Sequence, residues 1–247
     1  MRHSSWLRAL LALLMALAVS SQLAAKVYLV SVGITDYPGT SNDLNNTVRD
    51  AQSIAWVYSK RGDTESHLLL NGQATRQNIL SKMRDAYGKA GKDDLVVFFF
   101  SGHGYQGGFV CSSGQRLSYD DVRQVMSSSQ SHNRIIFADA CYAGTMGRTS
   151  RASQSVVEAA KKANVMLFLS SRYNETSIES LGMKNGFFTN YLQKGLRGAA
   201  DSNKDRIVTA RELYEYVHSN VITLSKNRQH PVMWGHFDNA MPVIVWK

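Results

Sequence analysis

Two residues of the chain have the types that carbonyl chemistry needs. His103 stands in Ser101-Gly102-His103-Gly104, directly after the apolar run Asp94 to Phe100. Cys141 stands in Asp139-Ala140-Cys141, directly after Arg134 to Ala138. A cysteine attacks a carbonyl carbon as its thiolate, and an imidazole moves the protons of attack and of leaving-group departure. The glycines flanking His103 permit a tight turn and a close approach of backbone to a ligand. Taken alone, a cysteine after a strand is more often a small buried hydrophobe. Both readings therefore stay open until the surrounding elements are placed.

Those elements alternate. Lys26 to Gly33 is a β-branched run expected as a buried strand, and Thr47 to Lys60 carries apolar residues at helical spacing. His67 to Leu70 is a second short strand, and Thr75 an N-cap for a helix through Ile79, Leu80, Met83 and Tyr87. Asp94 to Phe100 is the most apolar stretch after the amino-terminal segment and should be a central strand buried on both faces. Phe109 to Leu117 resembles a hairpin, and Ser118 with Asp121 forms a capping box for the next helix. Arg134 to Ala138, Val165 to Leu169 and Pro242 to Trp246 read as strands, and Thr189 to Leu196 and Ala210 to Val221 as helices. This order predicts an α/β domain with an open, mostly parallel sheet and helices on both faces. Ligand sites of such sheets gather beyond the carboxyl ends of the strands. If the strands before His103 and Cys141 are neighbours, imidazole and thiol meet there.

Composition sets outer limits. A chain of 247 residues, 44% apolar and 19% charged, suits one domain and excludes a disordered or fibrous protein. Two cysteines cannot staple a small fold. The formal net charge is +9, but no basic stripe interleaved with aromatics accompanies it, so nucleic acid is not an expected partner. Residues 1–25 combine Arg2 and Arg8, the apolar run Ala9 to Val19 and small residues up to Ala24-Ala25. This is the pattern of a secretory signal, with export to a periplasm or beyond the cell. Leu23 is an imperfect residue three places before cleavage, so an uncleaved anchor is the alternative; the run is short of the ~20 residues of a membrane span.

The motifs around His103 and Cys141 together resemble those of the caspase-like cysteine peptidases of clan CD, in particular the bacterial metacaspase and orthocaspase members. Asn45 to Ala51 resembles the entry to that family's first helix. Ser170 to Ser177 resembles its small-subunit start, Gly186 to Thr189 with Gly195 to Gly198 the helix that follows, and Gln229-His230-Pro231 a late loop. The resemblance implies a three-layer αβα sandwich around a mostly parallel six-stranded sheet. It also implies a large-subunit-like part to about residue 147, a linker over 148–164 and a small-subunit-like part over 165–247. Cys141 would be the nucleophile and His103 its partner, with the backbone N–H groups of Gly104 and Cys141 as the oxyanion hole.

Specificity follows from the same resemblance. Caspases proper accept Asp before the scissile bond and typically carry Gln two places before the nucleophile, where this chain has Asp139. Asp50 falls where metacaspase-like members place a pocket carboxylate, and Ser101 where the family has a pocket residue beside the catalytic His, able to hydrogen-bond the same substrate group. Two carboxylates attract a guanidinium first and an ammonium second, so the expected substrates are proteins or peptides with Arg or Lys before the cut. The plainer alternative is that Asp50 caps a helix and Asp139 merely ends a strand. Arg148, Arg151, Lys161 and Lys162 would let such an enzyme cut its own linker. The other readings are a Cys-His peptidase of different specificity and a catalytically silent binding or scaffold module.

No cofactor is required by this chemistry. Calcium is a weaker expectation: Asp201, Asn203, Asp205, Ile207, Thr209 and Glu212 fall at the liganding positions of a calcium loop, but Arg206 replaces its turn glycine. Asp120-Asp121 resembles half of a metacaspase calcium site and reads equally as a helix opening. Cys111 reads as a buried strand residue, the alternative being a disulfide with Cys141. The remaining histidines lack metal-ligand spacing.

Overall fold

The computed structural model describes residues 25–105, 107–140, 165–171, 185–235 and 237–246. Its main sheet is built from β1 (Val27–Gly33), β2 (Thr64–Leu70), β3 (Leu95–Gly102), β7 (Asn133–Ala140), β8 (Val165–Leu169) and β10 (Val232–Trp234). Their spatial order is β10-β8-β7-β3-β1-β2. Five strands run parallel, and β10 joins β8 antiparallel at one edge. This is the mixed, mostly parallel six-stranded sheet expected from the alternation of apolar runs.

Every residue of β1 and β3 is buried, as central strands covered on both faces must be. Successive side chains point to opposite faces, so each strand feeds two cores. Val96, Phe98 and Phe100 pack with α2 (Arg76–Tyr87) and α3 (Tyr119–Ser127) on one side. Val97 and Phe99 pack on the other with α1 (Thr47–Lys60), α4 (Phe187–Lys194) and α5 (Ala210–Leu224). The result is helix, sheet, helix, in three layers.

Local sequence signals place the helices well. The Thr75 hydroxyl accepts the Asn78 N–H, and Ser118 with Asp121 closes the capping box at the start of α3. The expected hairpin exists as β5 (Gly108–Val110) paired with β6 (Arg116–Ser118), and β4 (Gly104–Tyr105) adds a third strand to it. One expectation needs revision. The run Pro242–Val245 is a strand (β11), but it pairs with β9 (Ile207–Thr209) in a separate two-stranded sheet. The antiparallel edge of the main sheet is the three-residue β10. The turn that ends it is Gly235, at φ 123°, where a Cβ would lie 2.1 Å from the Val165 carbonyl oxygen. Among the described residues no helix is long and apolar enough to cross a membrane.

Candidate active site

β3 and β7 are hydrogen-bonded neighbours, with Ser101 opposite Asp139 and Gly102 opposite Ala140. Both strands end there, at the carboxyl edge of the sheet. His103 is the residue after β3 and is half-buried. Its Nε2 lies 2.7 Å from the Asn42 carbonyl oxygen. A carbonyl only accepts, so Nε2 carries a proton and donates it, leaving Nδ1 as the ring nitrogen open to proton transfer. Asn42 ends a short 3-10 turn, Thr40–Asn42, in the loop between β1 and α1. The same loop sends the Tyr37 ring against the imidazole, with centroids 4.6 Å apart. Gly104 begins β4 opposite Phe109, so the chain leaves His103 directly into the small sheet.

The acids expected at the pocket do come together. Asp50 lies in the first turn of α1, 2% exposed, and Asp139 in β7, 6% exposed. A Cβ built on Gly186 would stand 2.8 Å from Asp139 Oδ2 and 3.7 Å from Asp50 Oδ2, so the two carboxylates flank one point and need a residue without a side chain there. Ser101 Oγ donates to Asp50 Oδ2 at 2.9 Å, a contact with the acid itself that the motif position did not foretell. Asn185 Nδ2 donates to Asp50 Oδ1 at 2.7 Å, and the Gly186 N–H to the same oxygen at 3.3 Å. Asp139 Oδ2 accepts the Thr189 N–H at 3.2 Å and its hydroxyl at 2.8 Å.

Gly186 is the N-cap of α4 and Thr189 lies in its first turn. Both acids therefore occupy the positive end of that helix, where orphan N–H groups favour anions. Asp50 accepts its hydrogen bonds from outside its own helix, and Asp139 does more than end a strand. Even so, the Asp50 carboxyl is held well above the usual range. Burial is the main cause and repulsion from Asp139 the second; the hydrogen bonds from Asn185, Ser101 and Gly186 offset part of both. Two carboxyl groups buried side by side repel each other and attract positive charge.

Asn185, Thr189, Asn42 and Tyr37 were not foreseen as site residues. Asn42 acts through its backbone carbonyl, which no side-chain pattern reveals. Asn185 and Thr189 reach Asp50 and Asp139 across separations of 135 and 50 residues. The polar Thr189 within an apolar helix start was the one available signal.

Cys141, the residue after Ala140, lies outside the described residues. So do residues 1–24 of the expected leader 1–25, and the expected linker 148–164 with Arg148, Arg151, Lys161 and Lys162. Ala140 itself is braced by Ser170, whose Oγ lies 3.3 Å from both its nitrogen and its oxygen. Cys111 is a free thiol buried in one core, pushed by burial up to about 12. Asp121 closes its capping box and pairs with Arg76 at 2.8 Å, while Asp120 meets Arg123 at 3.2 Å. In the segment from Asp201 to Glu212, Glu212 caps α5 through Thr209 and accepts from Ser202, and Arg206 takes the left-handed φ of 68° that a loop glycine would have. Among the described residues no group of three or more His, Cys, Asp or Glu is arranged to hold a metal ion.

A family model described as the caspase domain matches residues 27–240. Among solved structures, a protein from Geobacter sulfurreducens superposes with a TM-score of 0.64 at 18% identity, covering 90% of this chain and 100% of its own. Caspase-1 from Spodoptera frugiperda superposes with a TM-score of 0.63 at 13% identity, covering 90% of each chain. At these identities the likeness is one of fold. No curated protein matches the chain.

Proposed function

Because the chain belongs to the caspase-domain family, we propose that it is a cysteine endopeptidase that cuts after Arg or Lys, using Cys141 as nucleophile and His103 as proton carrier. The observation that supports the specificity is the buried pair Asp50 and Asp139, the latter in register with Ser101, two residues before His103 at the same sheet edge. A substrate carboxylate entering that place would meet two like charges. A guanidinium would instead gain charge-assisted hydrogen bonds and relieve the repulsion already there.

The chemistry follows from the tautomer of His103. Nδ1 takes the Cys141 thiol proton, and the thiolate forms a bond to the substrate carbonyl carbon. The resulting oxyanion is held by the N–H groups of Gly104 and Cys141. The imidazolium then gives its proton to the leaving amine as the C–N bond breaks. Water, losing a proton to Nδ1, releases the acyl group from sulfur, and that proton returns to the thiol. Asn42 keeps the positive ring oriented throughout by accepting from Nε2. An enzyme of this specificity would also accept the basic residues of its own 148–162 segment, and processing there is part of the proposal.

Fluorogenic peptides ending in Arg, Lys or Asp, tested beside a Cys141→Ala control, decide the matter. Turnover of the Arg and Lys peptides that disappears in the control is expected. Turnover of the Asp peptide alone would overturn the pocket assignment. Loss of turnover for every peptide would favour a binding module with a caspase fold.

A further inference from the structure

We propose that Tyr37 is the positioning residue of His103, and that Gly102 of the Ser-Gly-His-Gly motif is there to admit its hydroxyl. This rests on His103 being the proton carrier.

Three groups form a closed ring of hydrogen bonds. The His103 backbone N–H donates to the Tyr37 hydroxyl at 2.8 Å. That hydroxyl donates to the Val110 carbonyl at 3.2 Å. The Val110 N–H completes the ring by donating to the His103 carbonyl at 2.9 Å. Both backbone groups of His103 are thereby fixed, and the phenol is used as donor and acceptor together. Its ring lies against the imidazole, tilted by 54°, so the same residue limits the backbone and the side chain.

Tyr37 is itself immobilised. It is 5% exposed, and its N–H donates to Asp43 Oδ1 at 3.1 Å. The loop it sits in is closed by Leu44 N–H to the Thr35 carbonyl and Asn42 N–H to the Gly39 carbonyl, each 2.9 Å. One short loop thus holds the imidazole from two sides, through the Asn42 carbonyl at Nε2 and the Tyr37 ring on its face. The hydroxyls of Tyr58 and Tyr87, also buried, donate to the Val243 and Val97 carbonyls and lie within the helix-packed cores rather than at the sheet edge. Burial raises the Tyr37 phenol above its ordinary value, so it keeps the proton it donates to Val110.

Gly102 supplies the space. A Cβ there would lie 2.5 Å from the Tyr37 hydroxyl and 3.0 Å from the Phe100 ring. A side chain at 102 is therefore incompatible with the phenol in its present place, which gives the motif glycine a reason beyond turn flexibility.

The test is Tyr37→Phe in the full chain, with a peptide ending in Arg as substrate. The substitution keeps the ring and its packing and removes the hydroxyl. We expect kcat to fall by about tenfold or more and KM to change by less than about twofold, because a misplaced proton carrier slows chemistry and leaves the acid pair intact. The ring ¹⁵N signals of His103 should show one protonated Nε2 in the wild type and an averaged ring in the variant. Gly102→Ala should reproduce the loss of kcat, and should cost several-fold less when the hydroxyl is already absent. Unchanged kcat and ring signals in a folded Tyr37→Phe protein, or strictly additive effects of the two substitutions, would overturn the proposal. If the wild type lacks Cys141-dependent turnover, the peptidase reading fails. The ring signals then decide alone, and an unaltered His103 ring in Tyr37→Phe refutes the positioning role.

Discussion

The imidazole corner and the acid pair lie at one edge of one sheet but are held by opposite means. Around His103 every contact is favourable: a carbonyl at Nε2, a phenol at the backbone N–H, a strand amide at the carbonyl. Around Asp50 and Asp139 two like groups are buried together, and helix amides, Asn185, Ser101 and Thr189 only partly offset the repulsion. The proposed proton carrier is thus placed by satisfied, largely neutral bonds, which hold geometry. At the proposed specificity site two like groups are held close together, which favours a cationic ligand over an anionic one. Pre-organisation and stored repulsion occur within two residues of each other along the chain, at His103 and at Ser101.

Substitutions should separate the two. His103→Ala should have the largest effect, lowering kcat by about 10³-fold or more with little change in KM, because it removes general acid–base transfer altogether. Steady-state kinetics on an Arg peptide would check it, and a fall confined to KM would contradict the division of labour. Asp50→Asn should come next, with kcat/KM for Arg and Lys peptides down by about 100-fold, mainly through KM, as expected when one partner of a buried ion pair is lost.

That same variant should differ in stability. In the folded chain the Asp50 carboxyl titrates above its ordinary value of 3.8, so the folded state holds that proton more tightly than the unfolded state. The associated stability is complete below about pH 4 and is lost as pH rises through the folded value. Asp50→Asn has no such proton to lose. Its melting temperature should decline less than the wild type's between pH 4 and pH 8, as read by calorimetry; a parallel decline would show that the pair is not under strain. Thr189→Val should give the smallest effect, a rise in KM of about tenfold from an Asp139 oxygen left with one donor fewer. An unchanged KM would mean that the helix amide alone positions Asp139.

Much of this architecture is legible in the chain because it is local. Ser118 and Asp121 announce a capping box three residues apart, and the run of apolar residues ending at Phe100 announces a strand covered on both sides. The motif position marks Ser101 as a pocket residue, but its contact with Asp50 spans 51 residues and is not readable from it. What is not legible depends on distant closure or on backbone atoms. β10 has three residues, all half-buried, and carries no alternation to read. The Asn42 carbonyl has no sequence signature. Tyr37 stands 66 residues before the amide it accepts, and a tyrosine in a polar loop gives no hint of its partner. Asn185 and Thr189 acquire their roles only when α4 docks its first turn onto α1 and β7.

The way the sheet partitions its contacts bears on what a break in the backbone would do. β8 lies parallel beside β7, and Ile135 and Phe137 before the 148–164 segment share a core with Phe168, Phe188 and Leu213 after it. The opposite core likewise mixes Ile136 and Ala138 with Leu167 and Leu169. Severing the chain between those strands would therefore free two new ends without releasing either fragment, and both pieces would migrate together until denatured.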